Sequence, residues 1–187
     1  MALLFVNACM REESRTERLA RAWLERYEGE VEELRLAELG VAPLDAERLR
    51  TYSAGVAAAR YDDELFAFAQ QFAEADEVLI AAPFWNYGIP AHLHAYLELV
   101  CSQGVTFDVD ATGAYVSLVR AQRLTFITTA GGAEPDELDD HAFGYVRTLS
   151  TRFWHIPDVR CIAAWSADAS STSVDAVLRE ILGEEQS

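Results

Sequence analysis

The sequence predicts a three-layer α/β domain, a parallel β-sheet with helices on both faces. Three observations predict it. Short, continuously apolar runs recur along the chain, with the unbroken hydrophobicity of strands buried on both faces. Between them lie segments whose apolar residues recur at helical spacing among charges. The two kinds alternate from end to end as β-α-β-α-β-α-β-α-β-α, the signature of crossover-linked parallel strands. There is no repeat, linker or low-complexity tract, so residues 1–187 are expected to form one domain.

The elements follow in order. Leu3 to Val6 is the first buried-strand run. A polar segment, Asn7 to Arg15, leads into a helix marked by Leu19, Ala20, Trp23, Leu24 and Tyr27, which Gly29 ends. Val31, Leu34 and Leu36 suggest a second strand, and residues 37–60, with Gly40, Pro43 and Gly55, read as a long irregular connection. Leu65, Phe66, Phe68, Ala69 and Phe72 mark another helix. Glu77 to Ala82 is a buried strand that Pro83 stops, and Pro90 suits the start of the helix carrying Leu93, Tyr96, Leu97 and Val100. Val105 to Tyr115 reads as a hairpin or excursion. Leu124 to Ile127, extended by Thr128 and Thr129, is a strand broken by Gly131 and Gly132. A helix over Asp139–Thr151, a strand over Val159–Trp165 and a helix over Val174–Leu182 complete the chain.

Composition narrows the function classes. Hydrophobic residues make up 51% and charged residues 25%, an ordinary globular mixture. No run approaches the ~20 apolar residues of a membrane span, and the first residues lack the basic stretch of a signal peptide. Fifteen basic against 31 acidic residues give a net charge of −16, which disfavours nucleic acid and anionic lipid as partners. Every basic residue is Arg. An anionic ligand must therefore find backbone donors or an arginine. The three cysteines, Cys9, Cys101 and Cys161, are odd in number and far apart, which fits a reduced, cytoplasmic setting. No zinc spacing is present. His92 and His94 are two apart, so helix geometry turns their rings about 200° from each other, and a shared metal is not expected.

In a doubly wound sheet of order 2-1-3-4-5, ligands bind beyond the carboxyl ends of the central strands. Three loops lie there. Asn7–Thr16 contains no glycine, so neither a dinucleotide fingerprint nor a P-loop is present. Its Ser14-Arg15-Thr16 offers two hydroxyls, free helix N–H groups and a guanidinium, a phosphate cradle. The same residues read as a helix cap, with Glu17 as the capping-box partner of Ser14, and the two readings are compatible. Pro83–Pro90 brackets Asn86 with Phe84, Trp85 and Tyr87, which suits a flat ring with polar edges. Thr128–Gly132 ends a strand in a glycine pair, which lets a ligand approach the backbone or simply makes a turn.

Ser14-x-Thr16, the run Ala81–Pro90 (AAPFWNYGIP), Gly104–Phe107 and Thr128–Gly132 together resemble the flavodoxin-like NAD(P)H oxidoreductases. Among these it is similar to the FMN-dependent NADH azoreductases that also reduce quinones, over nearly its whole length. The resemblance implies a flavodoxin-like fold and a tightly, non-covalently bound FMN. Ser14, Arg15 and Thr16 would hold the phosphate. Pro83, Phe84, Trp85, Asn86 and Tyr87 would line the isoalloxazine, and Thr129, Ala130, Gly131 and Gly132 would approach its pyrimidine side. It also implies a homodimer with the active site between subunits, where Phe107, Phe153 and Trp154 would face substrate. The expected reaction is a two-electron, ping-pong hydride transfer from NADH or NADPH to a quinone, azo compound or similar flat acceptor. No side-chain nucleophile is required; His155 is the histidine considered for proton delivery, against a structural role at a helix end. Two other readings of the same fold stand beside this one: a flavodoxin-type electron carrier and a non-catalytic flavin or quinone sensor. The sequence departs from the family at Ala8 or Cys9, at Ala130 before the glycine pair and at Trp154-His155.

Overall fold

The computed structural model describes residues 1–169 and 172–183. Strand β1 (Ala2–Asn7) is interior to the sheet, pairing in parallel with β2 (Glu30–Arg35) on one side and β3 (Glu77–Ala81) on the other. β4 (Phe107–Val109) and β5 (Tyr115–Ser117) form a separate antiparallel hairpin, within the stretch that reads as an excursion. β6 (Arg123–Thr129) pairs in parallel with β3, and β7 (Asp158–Ala164) with β6. The sheet order is β2-β1-β3-β6-β7. With the hairpin set aside, this is the 2-1-3-4-5 order of a doubly wound sheet.

Alternation along the strands divides the interior into two cores. Leu4, Val6, Val78, Ile80, Leu124 and Phe126 pack on one face with Leu93 and Leu97 of α4 (Ala91–Val100) and Val146 and Leu149 of α5 (Phe143–Arg152). Phe72 of α3 (Ala67–Glu74) joins them. Leu3, Phe5, Leu79, Ala81 and Ile127 pack on the other face with Leu19 of α1 (Arg15–Leu24) and Val174 and Ile181 of α6 (Thr172–Leu182). All five residues of β3 are buried. Its Val78, Leu79 and Ile80 each gain about 1.5–3 kcal/mol from leaving water.

Three expectations need correction. Residues 37–60 are not irregular throughout: they contain α2 (Ala46–Ala58), capped by the Asp45 carboxylate, which accepts from Glu47 and Arg48 N–H at 2.9 Å. No residue of α2 is buried, so it carries no apolar stripe that periodicity would reveal. Gly55 sits mid-helix because a Cβ there would lie 2.7 Å from the Phe66 ring. The helix expected from Asp139 starts at Phe143, because Asp140 caps it from outside, taking N–H groups of Ala142, Phe143 and Gly144 at 3.0–3.2 Å. Trp154 is a core residue, 1% exposed, with its ring 4.5 Å from that of Phe72. A side chain so enclosed has no face for a substrate.

Beyond the strand ends the ladder continues one step. Ala8 N–H donates to Ala81 O at 2.8 Å, Ala82 N–H to Ile127 O at 3.0 Å, and Phe84 N–H to Thr129 O at 3.0 Å. The three loops are therefore anchored to one another at the carboxyl edge.

Candidate functional site

At that edge lies a cleft of about 640 Å³. One wall is the start of α1. Ser14 is its N-cap, extended in backbone, and its Oγ accepts from Glu17 N–H at 3.2 Å. Only half of a capping box forms, because the Glu17 carboxylate turns instead to Arg21 and Arg35. Thr16 is buried, and its Oγ1 pairs with Thr129 Oγ1 at 2.7 Å, tying α1 to the end of β6. The N–H groups of Arg15 and Thr16, in the first helical turn, have no intrahelical partner. Arg15 bonds the Ala167 carbonyl through Nη1 and the Asp168 carboxylate through Nη2 at 2.6 Å.

The opposite wall is aromatic. Phe84 and Trp85 are half-buried, and the Trp165 ring supports Phe84 edge-on at 5.4 Å. Trp85 and Gly88 exchange backbone hydrogen bonds of 3.0 and 2.8 Å. Asn86 and Tyr87 between them have φ of 51° and 63°, as in a type I′ turn. Asn tolerates that conformation, but a non-glycine aromatic there is strained. The turn holds Asn86 at the cleft mouth and leaves Tyr87 58% exposed.

The floor is Thr129 with Gly131 and Gly132. Gly132 meets nothing within 4 Å, whereas a Cβ on Gly131 would lie 2.0 Å from Asp168 Oδ2. The carbonyls of Ala130 and Gly132 are held by the N–H groups of Ala167 and Ser166.

A second recess of about 1040 Å³ opens from the first, sharing Met10, Trp85 and Asn86. Its walls are the starts of α4 and α5, with His92, His94, His141 and Tyr145. The His94 and Tyr145 rings face each other at 5.2 Å. His92 and His94 border one recess despite their spacing, because the recess wraps the end of α4 and is not confined to one helical face. Among the described residues, no group of three or more His, Cys, Asp or Glu side chains is placed to hold a metal ion.

Of the residues singled out from the sequence, Ser14, Arg15, Thr16, Pro83, Phe84, Trp85, Asn86, Thr129, Gly131 and Gly132 share the cleft. Tyr87 and Ala130 border a shallower hollow beside it, with Phe84 and the glycine pair. Phe107, Phe153, Trp154 and His155 line neither the cleft nor the recess. Phe107 and Phe153 pack on each other at 4.8 Å beside the hairpin. His155 is exposed on the α5–β7 connection with φ of 47°. Sequence reasoning missed Met10, Arg11, Glu13 and Asp168 in the cleft and His92, His94 and His141 in the recess. A signal for His141 existed: it lies in the connection leaving the carboxyl edge after β6, and its N–H bonds Tyr87 O at 3.0 Å. Cys9 lies under α1, and burial pushes its thiol up to about 11, which makes it unreactive.

Known proteins share this architecture. A family model described as flavodoxin-like fold (Flavodoxin_2) matches residues 1–184. An FMN-dependent NADH:quinone oxidoreductase 2 of Clostridium acetobutylicum is 31% identical over 190 residues, covering 96% of this chain and 94% of that protein. An FMN-dependent NADH:quinone oxidoreductase of Coprothermobacter proteolyticus is 33% identical over 172 residues, covering 88% and 85%. In three dimensions, an FMN-dependent NADH-azoreductase from Bacillus anthracis in complex with FMN superposes with a TM-score of 0.81 at 19% identity, covering 97% and 96%. At that identity the likeness concerns the fold. The sheet order, the motif-bearing loops gathered at its carboxyl edge and the nearly full-length match lead to one conclusion: the chain belongs to the Flavodoxin_2 family of flavodoxin-like proteins.

Proposed function

We propose that the chain is an FMN-dependent oxidoreductase that passes two electrons from NADH to a quinone or similar flat acceptor. The observation that carries this reading is the cleft itself. It joins a helix N-terminus with Arg15, an aromatic wall and a glycine floor that is open at Gly132, within a volume typical of small-molecule sites, about 300–1,000 Å³. These residues fit FMN part by part. Ser14, Arg15 and Thr16 offer hydroxyl, guanidinium and backbone donors to the phosphate. Phe84 and Trp85 offer flat apolar surface to the ring, with Asn86 at its polar edge. The Ala130 N–H donates to Ala164 O at 3.0 Å, so the N–H groups of Gly131 and Gly132 are the ones we assign to negative charge on the ring's pyrimidine side.

Bound there, FMN supplies the hydride-accepting and hydride-donating chemistry. The chain's own residues bind, orient and exclude water. We infer that donor and acceptor use one opening in turn, with ping-pong kinetics; that Trp85 and Asn86 border both cleft and recess supports this reading. The net reaction is NADH, a proton and a quinone giving NAD⁺ and the quinol. We also infer a homodimer. Val109 and Tyr115, paired across the hairpin on the face that carries Phe107, are 40% and 44% exposed, an apolar surface that suits a second copy. No helix among the described residues is long and apolar enough to cross a membrane.

The test is the visible spectrum of the purified protein, then anaerobic NADH. Flavin bands near ~370 and ~450 nm that bleach with NADH and return with a quinone are expected. A protein that neither carries nor takes up FMN would sink the reading, and one that binds FMN but is not bleached is an electron carrier or sensor instead.

A further inference from the structure

The recess beside the cleft has a composition at odds with the rest of the molecule. The chain carries 31 acidic residues and four histidines, yet three of those histidines, His92, His94 and His141, border this one cavity. All three side chains are exposed to it or to solvent, and each imidazole carries at least one N–H donor. Asp140 is the one carboxylate among the lining residues, and it is already committed. Its Oδ1 accepts from Ala142 and Phe143 N–H, each at 3.0 Å, and its Oδ2 from Gly144 N–H at 3.2 Å. The α4 end of the recess has no such acid: Pro90 makes no side-chain cap, so the positive end of that helix adds to the donors already there. The remaining lining mixes apolar surface from Met10, Trp85, Ile89 and Pro90 with the polar groups of Asn86, Tyr145 and Thr148. A donor-rich hollow with apolar walls, continuous with the cleft through Trp85 and Asn86, fits a flat aromatic molecule whose far edge bears anionic oxygens.

We infer that the recess bounded by His92, His94 and His141 selects acceptors carrying a carboxylate or sulfonate group, with the reducible ring in the cleft and the anionic group among the imidazoles. This rests on the proposed oxidoreductase reading and adds its substrate class. The overall charge of −16 repels such acceptors from most of the surface, so a local cluster of donors is what admits them.

The FMN-loaded protein tests it with two quinones, 1,4-naphthoquinone-2-sulfonate and 2-methyl-1,4-naphthoquinone. In the wild type kcat/KM should favour the sulfonate by about tenfold, the worth of charge-assisted hydrogen bonds. In His94→Gln with His141→Gln the ratio should fall to near one. His155→Gln, outside both cavities, should keep it. Calorimetry with naphthalene-2-sulfonate and 2-naphthalenemethanol supplies a readout without turnover: the sulfonate should bind about tenfold tighter, and the double variant should lose that margin. A wild-type ratio at or below one, or a ratio the double variant leaves unchanged, overturns the inference. So does a change of oligomeric state with the ratio intact, which would make the recess a subunit contact. If neither quinone is reduced, the oxidoreductase reading fails, and the calorimetric comparison still decides whether the recess selects anions.

Discussion

The cleft and the recess meet at Met10, Trp85 and Asn86, yet they are assembled differently. The cleft is made from loops that directly follow β1, β3 and β6, each contributing a short contiguous run. The recess continues one of those runs, from Trp85 into the start of α4 at His94, and sets it against the start of α5, with His141, Tyr145 and Thr148. The cleft is tightly cross-linked: the Thr16–Thr129 hydroxyl pair at 2.7 Å and the Arg15–Asp168 ion pair at 2.6 Å span it. The recess is bridged by a ring contact, His94 on Tyr145 at 5.2 Å. A rigid, donor-lined cleft suits a resident group; a looser, wider recess suits a substrate that must leave.

The change with the largest expected effect removes what the two regions share. Trp85→Ala should weaken FMN binding by roughly 30- to 100-fold through lost aromatic burial and stacking, about 2–3 kcal/mol. It should also abolish the sulfonate preference. Flavin-fluorescence titration together with the two-quinone ratio checks both, and an effect on one region alone would show them independent. Thr16→Val addresses the cleft only. It leaves the Thr129 hydroxyl buried without its partner, so about 1–3 kcal/mol of stability should be lost in urea unfolding, while the quinone ratio stays put.

Asp168→Asn is expected to act in the opposite direction. Its carboxylate holds Arg15, the guanidinium a phosphate would use, so its removal should tighten FMN binding roughly fivefold and leave riboflavin, which lacks the phosphate, unchanged. Equal change in both ligands would place Asp168 on the ribityl chain instead.

The smallest effect concerns the support behind α1. Burial pushes the Glu17 carboxyl up, but hydrogen bonds from Arg35 and Arg21 outweigh it and hold it below its ordinary value. For Glu33, burial is likewise outweighed by Arg21 and Asn7. Carboxyls held low in the folded state contribute stability that is present above the unfolded value near 4.3 and lost as pH falls through the folded one. Stability should therefore fall below about pH 4, by at most about 1 kcal/mol after solvent screening, read as a lower melting temperature, and Glu17→Gln should flatten that slope.

The Pro83–Gly88 wall was legible because its residue types are unusual together and follow directly on a strand. Ser14 was legible for the same reason, a capping residue beside a helix start. The α2 helix was not, since it buries nothing and so leaves no apolar stripe. Trp154 was misplaced because an aromatic after a helix reads alike as core or pocket, and only its packing on Phe72 decides. His92 and His94 were judged by their own helix, where their rings diverge; the curvature of a cavity around the helix end was invisible at that range.

By itself, the sequence determined the layered fold, the order of its elements and the contiguous pieces of the cleft. Apolar periodicity, caps and glycine turns are local, acting within a few residues, and so can be read locally. Only the tertiary structure decided that His92, His94 and His141 border one recess, that Asp140 is spent on a helix cap and that Asp168 reaches Arg15. Those meetings depend on which strand lies beside which, and the parallel ladders set that over separations of tens of residues, where no local pattern carries the information.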